Sequence, residues 1–234
     1  MQEQVAVVKL PDKVTMKECL IILAKQPIPG KVKTRLAKDV GADSAADLYE
    51  CFLSDLIKRV KKLAIPIVIF CDQKNSVDFF LKYNVNQVFI QRGNSIGDRM
   101  HNSFVDCFNE GFSSAILIGS DSPDIPYSFF EEAKSSLSTY DMVIGPTNDE
   151  GYYLIGFRSD TLCKDIFADI NWSTSKVWKE TKLKILNNNI NCYFLSNWYD
   201  IDNITGLRHY FLHNIHSMPE PKTINYIKLK DLFS

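Results

Sequence analysis

Cys19-Leu-Ile-Ile-Leu-Ala-Lys25 is a run of apolar residues, about the length of one β-strand, that ends in a lysine. A strand that is apolar at consecutive positions is typical of a parallel sheet that helices cover on both faces. Similar apolar runs recur at residues 65–71, 87–90, 115–119, 142–145, 152–157 and 192–195. The sequence therefore predicts a largely parallel, buried sheet.

Residues with helical spacing separate most of these runs. Leu48, Phe52, Leu56 and Val60 recur every four residues, and Ile96 begins a second series of the same kind. Further helices are predicted over residues 127–138, 174–188 and 203–216. Alternation of strands and helices predicts an α/β fold, a three-layer α/β/α sandwich with a mostly parallel sheet.

Part of the sheet is expected to be antiparallel. The apolar runs at 142–145 and 152–157 are too close in sequence for a helix to connect them, and parallel neighbours need such a crossover. We therefore predict a mixed sheet.

Composition bounds the class of protein. The 234 residues predict one domain over 1–234, with an N-terminal arm at 1–18 and a C-terminal tail at 217–234. A net charge of −1 argues against a general nucleic-acid-binding protein, and no apolar stretch approaches the length of a membrane span. The six cysteines include no CxxC pair, which favours reduced thiols and a cytoplasmic location.

A basic loop follows the first predicted strand. Lys25, Lys31, Lys33 and Arg35 lie within eleven residues, and Gly30 would let backbone amides approach a ligand. Arginine and lysine together suit a diphosphate or triphosphate. The loop lacks the glycine spacing of a dinucleotide-binding turn and of a P-loop. The alternative is a solvated basic loop.

Two acidic clusters follow other predicted strands. Asp121 and Asp124 lie in Gly119-Ser-Asp-Ser-Pro-Asp124, and Asp200 and Asp202 precede the helix predicted from 203. Carboxylate oxygens are ligands that Mg²⁺ and Mn²⁺ prefer, which makes Asp121, Asp200 and Asp202 candidate metal ligands. The alternative is helix capping, a role that fits Asp124 and that competes for Asp202.

A third polar segment connects the runs at 142–145 and 152–157. Acidic residues between two apolar strands usually mark a turn, and this turn contains Asp149 and Glu150. Tyr152 and Tyr153 follow them, and their rings could stack on a base or a sugar.

Six blocks, in order, carry a resemblance to a known family. They are Ala24-Lys-x-Pro-x-Pro-Gly-x-x-Lys-Thr-Arg-Leu36, Gly97-Asp-Arg-Met100, Gly119-Ser-Asp-Ser-Pro-Asp124, Gly151-Tyr-Tyr-Leu-Ile-Gly156, Trp172-Ser-Thr174 and Asp200-Ile-Asp202. The chain resembles a bacterial glycosyltransferase-like family of the nucleotide-diphospho-sugar transferase superfamily. That superfamily has the GT-A fold, which phospholactate guanylyltransferase and the molybdenum-cofactor nucleotidyltransferases share.

The resemblance implies roles for individual residues. Phosphate contacts are expected from Lys25, Lys33 and Arg35, and nucleotide contacts near Asp98 and Arg99. Asp121 is expected to bind Mg²⁺ or Mn²⁺, with Asp200 or Asp202 completing the site. Tyr152, Tyr153 and Trp172 are expected near the sugar or the acceptor. Glu150 departs from the family, which usually has glycine there, and a positive φ would strain it.

The predicted function is a metal-dependent transferase that uses a nucleotide-diphospho-sugar donor and a small-molecule acceptor. Asp149 or Glu150 would act as general base toward an acceptor hydroxyl. Two alternatives stay open: nucleotidyl transfer from a nucleoside triphosphate, and a non-catalytic nucleotide sensor.

Overall fold

A computed structural model describes residues 18–172 and 174–233. Among them seven strands form one sheet in the order β3-β2-β1-β4-β6-β5-β7. The strands are β1 Glu18–Ala24, β2 Ile67–Cys71, β3 Gln87–Ile90, β4 Ser114–Ile118, β5 Met142–Pro146, β6 Tyr152–Arg158 and β7 Cys192–Phe194. The predicted arm, apart from Glu18, lies outside the described residues.

The sheet is mixed, as predicted. Strands β3, β2, β1 and β4 run parallel to one another, and β5 pairs with β7 in parallel. Strand β6 runs antiparallel to both β4 and β5. The carboxyl ends of β1 and β4 therefore lie side by side at one edge of the sheet, where ligands bind in open α/β folds.

Eight α-helices are described. They are α1 Ala37–Val40, α2 Ala42–Val60, α3 Val77–Leu81, α4 Ile96–Asn109, α5 Tyr127–Ser136, α6 Val177–Asn187, α7 Ile204–Asn214 and α8 Lys222–Leu229. The predicted helices at 127–138, 174–188 and 203–216 correspond to α5, α6 and α7 within three residues at each end.

Each face of the sheet has its own apolar core. Leu20 and Ile22 of β1 belong to a core with residues of α2, α5, α7 and α8. Cys19, Ile21 and Leu23 alternate with them and pack on the other face, against residues of α4. The result is the three-layer α/β/α sandwich that the sequence predicts.

The stretch predicted as a C-terminal tail contains α8. The backbone amides of Lys222 and Thr223 each donate to the Asp55 carboxylate of α2, at 2.9 Å. Ile224 and Ile227 are buried against the α2 face of the sheet. Helix α8 is short, and its amphipathic pattern spans only two turns, so the sequence gives a weak helical signal there.

No helix in the described part of the chain is both long and apolar enough to cross a lipid bilayer.

Candidate active site

A cavity of about 630 Å³ opens at the carboxyl ends of β1 and β4. Of the predicted site residues, Lys25, Lys33, Arg35, Arg99, Asp121, Tyr152, Tyr153 and Asp202 line it. Lys31 and Thr34 line it as well, so all four cations of the basic loop and Asp121 line the same cavity. The sequence-predicted loop and carboxylates thus share one crevice.

Lys33 occupies the centre of the acidic clusters. Its Nζ lies 2.5 Å from Asp121 Oδ1, 2.7 Å from the carbonyl oxygen of Ile201 and 3.4 Å from Asp202 Oδ1. The Lys33 side chain is only 4% exposed. Burial disfavours the charged ammonium, but the opposing charges of Asp121 and Asp202 prevail, so the pKa of Lys33 is raised.

Backbone contacts hold the two acidic segments together. The Ile201 amide donates to the Asp121 carbonyl oxygen at 2.9 Å. The Ser122 hydroxyl lies 2.9 Å from the Tyr199 carbonyl oxygen and 2.6 Å from Asp200 Oδ1. The segment that follows β7 is therefore attached to the turn that follows β4, although about eighty residues separate them in sequence.

Asp200 has an unusual environment. Burial, and then the negative charge of Asp121, raise the pKa of the Asp200 carboxyl to about 7, although the Ser122 hydrogen bond lowers it. Asp149 also raises this pKa, so the turn between β5 and β6 lies within electrostatic reach of the acidic centre. A carboxyl that titrates near neutral pH can exchange a proton under physiological conditions.

Oxygen atoms of the two acidic segments surround the Lys33 ammonium and are the candidate ligands for a divalent cation. No group of three or more His, Cys, Asp or Glu side chains in residues 18–172 and 174–233 is arranged to hold a metal ion. Two carboxylates, Asp121 and Asp202, and the Ile201 carbonyl nevertheless converge on one cation, the Lys33 ammonium. Mg²⁺ is commonly held by one or two carboxylates together with substrate phosphates. These oxygens are of the chemical type that a divalent ion accepts, and the Lys33 ammonium lies among them.

The remaining cations of the basic loop are exposed. Arg35 lies 3.3 Å from Asp202 Oδ2 with its side chain 66% exposed, and Lys25 and Lys31 are exposed. Gly30 has φ of 77°, the left-handed conformation that glycine tolerates, and it forms the tip of the loop without lining the cavity. The loop therefore presents three solvent-accessible cations around one buried lysine.

Asp98 and Arg99 have different positions. The Asp98 carboxylate accepts from the amides of Asn94 and Ser95 and forms the capping box at the start of α4. Hydrogen bonds from Ser95 lower the pKa of Asp98. Arg99 lines the cavity and donates from Nε to the Gly93 carbonyl oxygen. The structure thus gives Asp98 a helix-capping role that the sequence prediction did not include.

Asp149 and Glu150 lie exposed on the turn between β5 and β6. Glu150 has φ of 70°, and its carbonyl oxygen accepts from the Trp178 amide at 2.8 Å. The next amide, that of Gly151, donates to Thr147 Oγ1 at 3.0 Å. The turn is therefore fixed in a left-handed conformation at Glu150. This is the positive φ that would strain a residue other than glycine.

The two tyrosines point to opposite faces of the sheet, because they are neighbours on a strand. The Tyr152 ring packs near Trp172, with ring centroids 6.3 Å apart. Tyr153 is 4% exposed, packs with Phe129 and donates from its hydroxyl to the Ser196 carbonyl oxygen. Both tyrosines line the cavity, and of the two it is Tyr152 that lies beside Trp172.

The capping roles considered for Asp124 and Asp202 do not occur. The residue that caps α5 is Pro126, without a side-chain bond, and Asn203 caps α7 by accepting from the Gly206 amide. Asp124 is buried and accepts from Asn214 Nδ2 at 2.9 Å and from the Tyr199 hydroxyl. Asp124 therefore anchors α7 and the segment before it.

Sequence reasoning missed Ser122 and Tyr49. Ser122 positions Asp200, and the Tyr49 hydroxyl shares a 2.6 Å hydrogen bond with Ser120 beneath the cavity. The sequence feature that could have indicated the role of Ser122 is its position between Asp121 and Asp124 in a turn. Tyr49 had no signal beyond the apolar spacing of α2, because its partner lies 71 residues away.

Known structures with this fold are numerous. A protein from Desulfovibrio desulfuricans G20, provisionally named a nucleotide-diphospho-sugar transferase, is 32% identical, with a TM-score of 0.86 over 92% of this chain and 95% of that chain. A cytidylyltransferase from Leptospira borgpetersenii is 15% identical, with a TM-score of 0.57 over 92% of this chain and 94% of that chain. Rv0371c from Mycobacterium tuberculosis H37Rv, crystallised with manganese, is 11% identical, with a TM-score of 0.51 over 83% of this chain and 97% of that chain.

The similarities to the Leptospira and Mycobacterium proteins, at 15% and 11% identity, show the fold alone. No curated protein matches the chain. A family model described as "Uncharacterized protein conserved in bacteria (DUF2064)" matches residues 56–174, about half of the chain. Together with the 32% identity to the Desulfovibrio protein over nearly its full length, this match shows that the chain belongs to the DUF2064 family.

Proposed function

We propose that the protein is a transferase that binds a nucleotide donor in the cavity at the carboxyl ends of β1 and β4. The observation that carries this proposal is the apposition of the basic loop and the Asp121–Asp202 pair across one crevice. Cations on one wall would bind the donor phosphates, and the carboxylates would hold a divalent ion that bridges to them.

The donor is proposed to be a nucleotide-diphospho-sugar. This choice is supported by the name of the Desulfovibrio relative, which is 32% identical to this chain. In this reading Arg35, Lys31 and Lys25 bind the diphosphate, and their charge stabilises the departing group. Tyr152 and Trp172 lie together beside the cavity and would contact the sugar or the acceptor.

Asp121, Asp202 and the Ile201 carbonyl would hold Mg²⁺ or Mn²⁺, and Asp200 lies beside them. When bound, the ion would supply positive charge to the phosphate oxygens. Support comes from the manganese complex of a protein with this fold and from the oxygen donors that already surround the Lys33 ammonium.

Asp149 is the better of the two proposed general bases. Its charge acts on Asp200, whereas the backbone carbonyl of Glu150 is bonded to the Trp178 amide. From this position Asp149 could take the proton of an acceptor hydroxyl on the open side of the cavity.

Nucleotidyl transfer is the second candidate. The specific observation that favours it is that four cations of the basic loop line the cavity, a number that suits a triphosphate. The likeness to a cytidylyltransferase is consistent with it at the level of the fold.

Phosphorus NMR distinguishes the two reactions. The protein is incubated with diamagnetic Mg²⁺ and either nucleotide-diphospho-sugars or nucleoside triphosphates. Glycosyl transfer or donor hydrolysis releases a nucleoside diphosphate, whereas nucleotidyl transfer releases pyrophosphate. Thermal unfolding with each donor reports whether that donor binds. If neither donor raises the melting temperature of the protein and neither is consumed, the transferase proposal fails.

A further inference from the structure

The position that a divalent ion would take in the proposed site is filled by a side chain of the protein. The Lys33 ammonium lies among three oxygens, one from Asp121, one from Asp202 and the Ile201 carbonyl. These are the same hard oxygen donors that a divalent cation would use.

The backbone directs Lys33 inward. Its φ is 47°, a left-handed conformation that is uncommon for a residue with a side chain. The ammonium lies 5.6 Å from the centre of the Phe52 ring and 6.0 Å from that of Tyr49, both of which favour a cation. The rings, the carboxylates and the turn together stabilise a lysine in the cation position.

An ammonium and a divalent ion exclude one another here. Both would need Asp121 Oδ1, and two cations separated by a few ångströms in a buried site repel strongly. Asp202 is already shared with Arg35 at 3.3 Å, so the carboxylates carry no excess charge for a second cation. A divalent ion can enter only after the ammonium has moved.

Phosphate is the ligand class that would move it. Lys33 lies on the loop before α1, beside Arg35 and Lys31, which remain exposed at the same cavity wall. A polyphosphate bound by these exposed cations brings oxygen acceptors to the lysine and new ligands to the metal in the same event.

We propose that Lys33 keeps divalent ions out of the site until a bound nucleotide draws its ammonium onto phosphate, so that metal and nucleotide bind together. The inference rests on the proposed function for the identity of the nucleotide. The exclusion of metal by Lys33 rests on the contacts of Lys33 alone.

The test is a Mn²⁺ titration without nucleotide, followed by the electron paramagnetic resonance signal of free Mn²⁺. Lys33→Met keeps an unbranched side chain and removes the charge. We expect it to bind Mn²⁺ at least tenfold more tightly than the wild type. Lys38→Met, which changes an exposed lysine of α1 outside the cavity, should behave as the wild type.

Equal Mn²⁺ affinity of the wild type and Lys33→Met would overturn the inference, and so would failure of both to bind. Circular dichroism checks the fold. If Lys33→Met does not fold, Lys33→Gln takes its place, because an amide can still donate to the Ile201 carbonyl.

A second measurement tests the nucleotide. Water-proton relaxation distinguishes Mn²⁺ in a ternary complex from Mn²⁺ on free CTP. With the wild type, CTP should increase the fraction of Mn²⁺ bound to protein, and with Lys33→Met this increase should be smaller. If neither CTP nor a nucleotide-diphospho-sugar binds, the proposed function and the role of nucleotide both fail, while the titrations without nucleotide still decide the role of Lys33.

Discussion

The hydroxyl of Ser122 lies 2.6 Å from Asp200 Oδ1 and donates a hydrogen bond to that carboxylate. This bond lowers the pKa of Asp200, whereas burial and the charge of Asp121 raise it, with a result of about 7. Asp200 therefore titrates at physiological pH, and its protonation contributes to stability in a predictable direction.

The first prediction concerns the pH dependence of stability. The pKa of Asp200 is about 7 in the folded protein and about 4 in an unfolded chain. Between these values the folded state holds a proton that the unfolded state has released, so this contribution to stability is lost as pH rises from 4 to 7. Urea unfolding from pH 4.5 to 8 should show that Asp200→Asn gains stability relative to the wild type as pH rises.

A difference in the free energy of unfolding that does not change with pH would contradict the prediction. Asp149→Asn should weaken the trend without removing it, because Asp149 is one of several causes of the shift.

The second prediction concerns Ser122→Ala. Removal of the hydroxyl takes away a hydrogen bond that stabilises the charged carboxylate, so the pKa of Asp200 should rise above 7. Carbon-detected NMR of the carboxyl group across a pH series measures this directly. Ser135→Ala is a suitable control, because that hydroxyl is exposed on α5 and bonds only to a carbonyl oxygen of its own helix. A pKa that stays the same or falls in Ser122→Ala would show that the bond does not act on Asp200 as the geometry indicates.

The third prediction concerns phosphate binding. Arg35 is two-thirds exposed and makes one ion pair, with Asp202. Arg35→Ala should therefore change the free energy of unfolding by no more than about 0.5 kcal/mol, since surface ion pairs contribute little. Nucleotide affinity should fall roughly tenfold, the equivalent of about 1.4 kcal/mol. Isothermal titration calorimetry measures the affinity, and Lys38→Ala, an exposed cation of α1 outside the cavity, is the matched control. An unchanged affinity in Arg35→Ala would remove this arginine from the phosphate site.

The fourth prediction concerns the turn at Glu150. A residue with a Cβ atom at φ of 70° costs free energy that glycine avoids. Glu150→Gly should raise the free energy of unfolding by about 1 kcal/mol. Asp149→Gly, in the same turn but outside the left-handed region, should bring no such gain. Thermal or urea unfolding compares the two variants, and a loss of stability in Glu150→Gly would mean that the side chain makes a stabilising contact.

The fifth prediction separates the adjacent tyrosines. Tyr153→Phe removes the hydrogen bond to the Ser196 carbonyl oxygen and should cost about 1 kcal/mol of stability. Tyr152→Phe removes a hydroxyl whose contact is the thioether sulfur of Met100 at 3.7 Å, so it should cost little. Equal losses in the two variants would contradict the difference in their surroundings.

The fold was predictable because local patterns carry it. The apolar run that begins at Cys19 and the four-residue spacing from Leu48 to Val60 each reflect burial within a single element. The meeting of the basic loop with Asp121 and Asp202 also followed from the rule that strand ends share one crevice.

What could not be predicted are individual pairings between distant residues. Nothing in the sequence indicates that Lys33 contacts Asp121 directly, or that Ser122 reaches Asp200 across 78 residues. Such pairings depend on side-chain rotamers and on loop conformation, which residue type and spacing do not determine. The different surroundings of Tyr152 and Tyr153 do follow from the sequence, since adjacent residues of a strand face opposite sides of the sheet.

The amide of Ile201 joins the two acidic segments by its bond to the Asp121 carbonyl oxygen. Because that proton is shielded only while the segments are attached, its exchange with deuterated solvent records how often they separate. The exchange rate of this one amide can thus measure how often the crevice opens. The measurement needs neither a chemical label on the protein nor an assay of turnover.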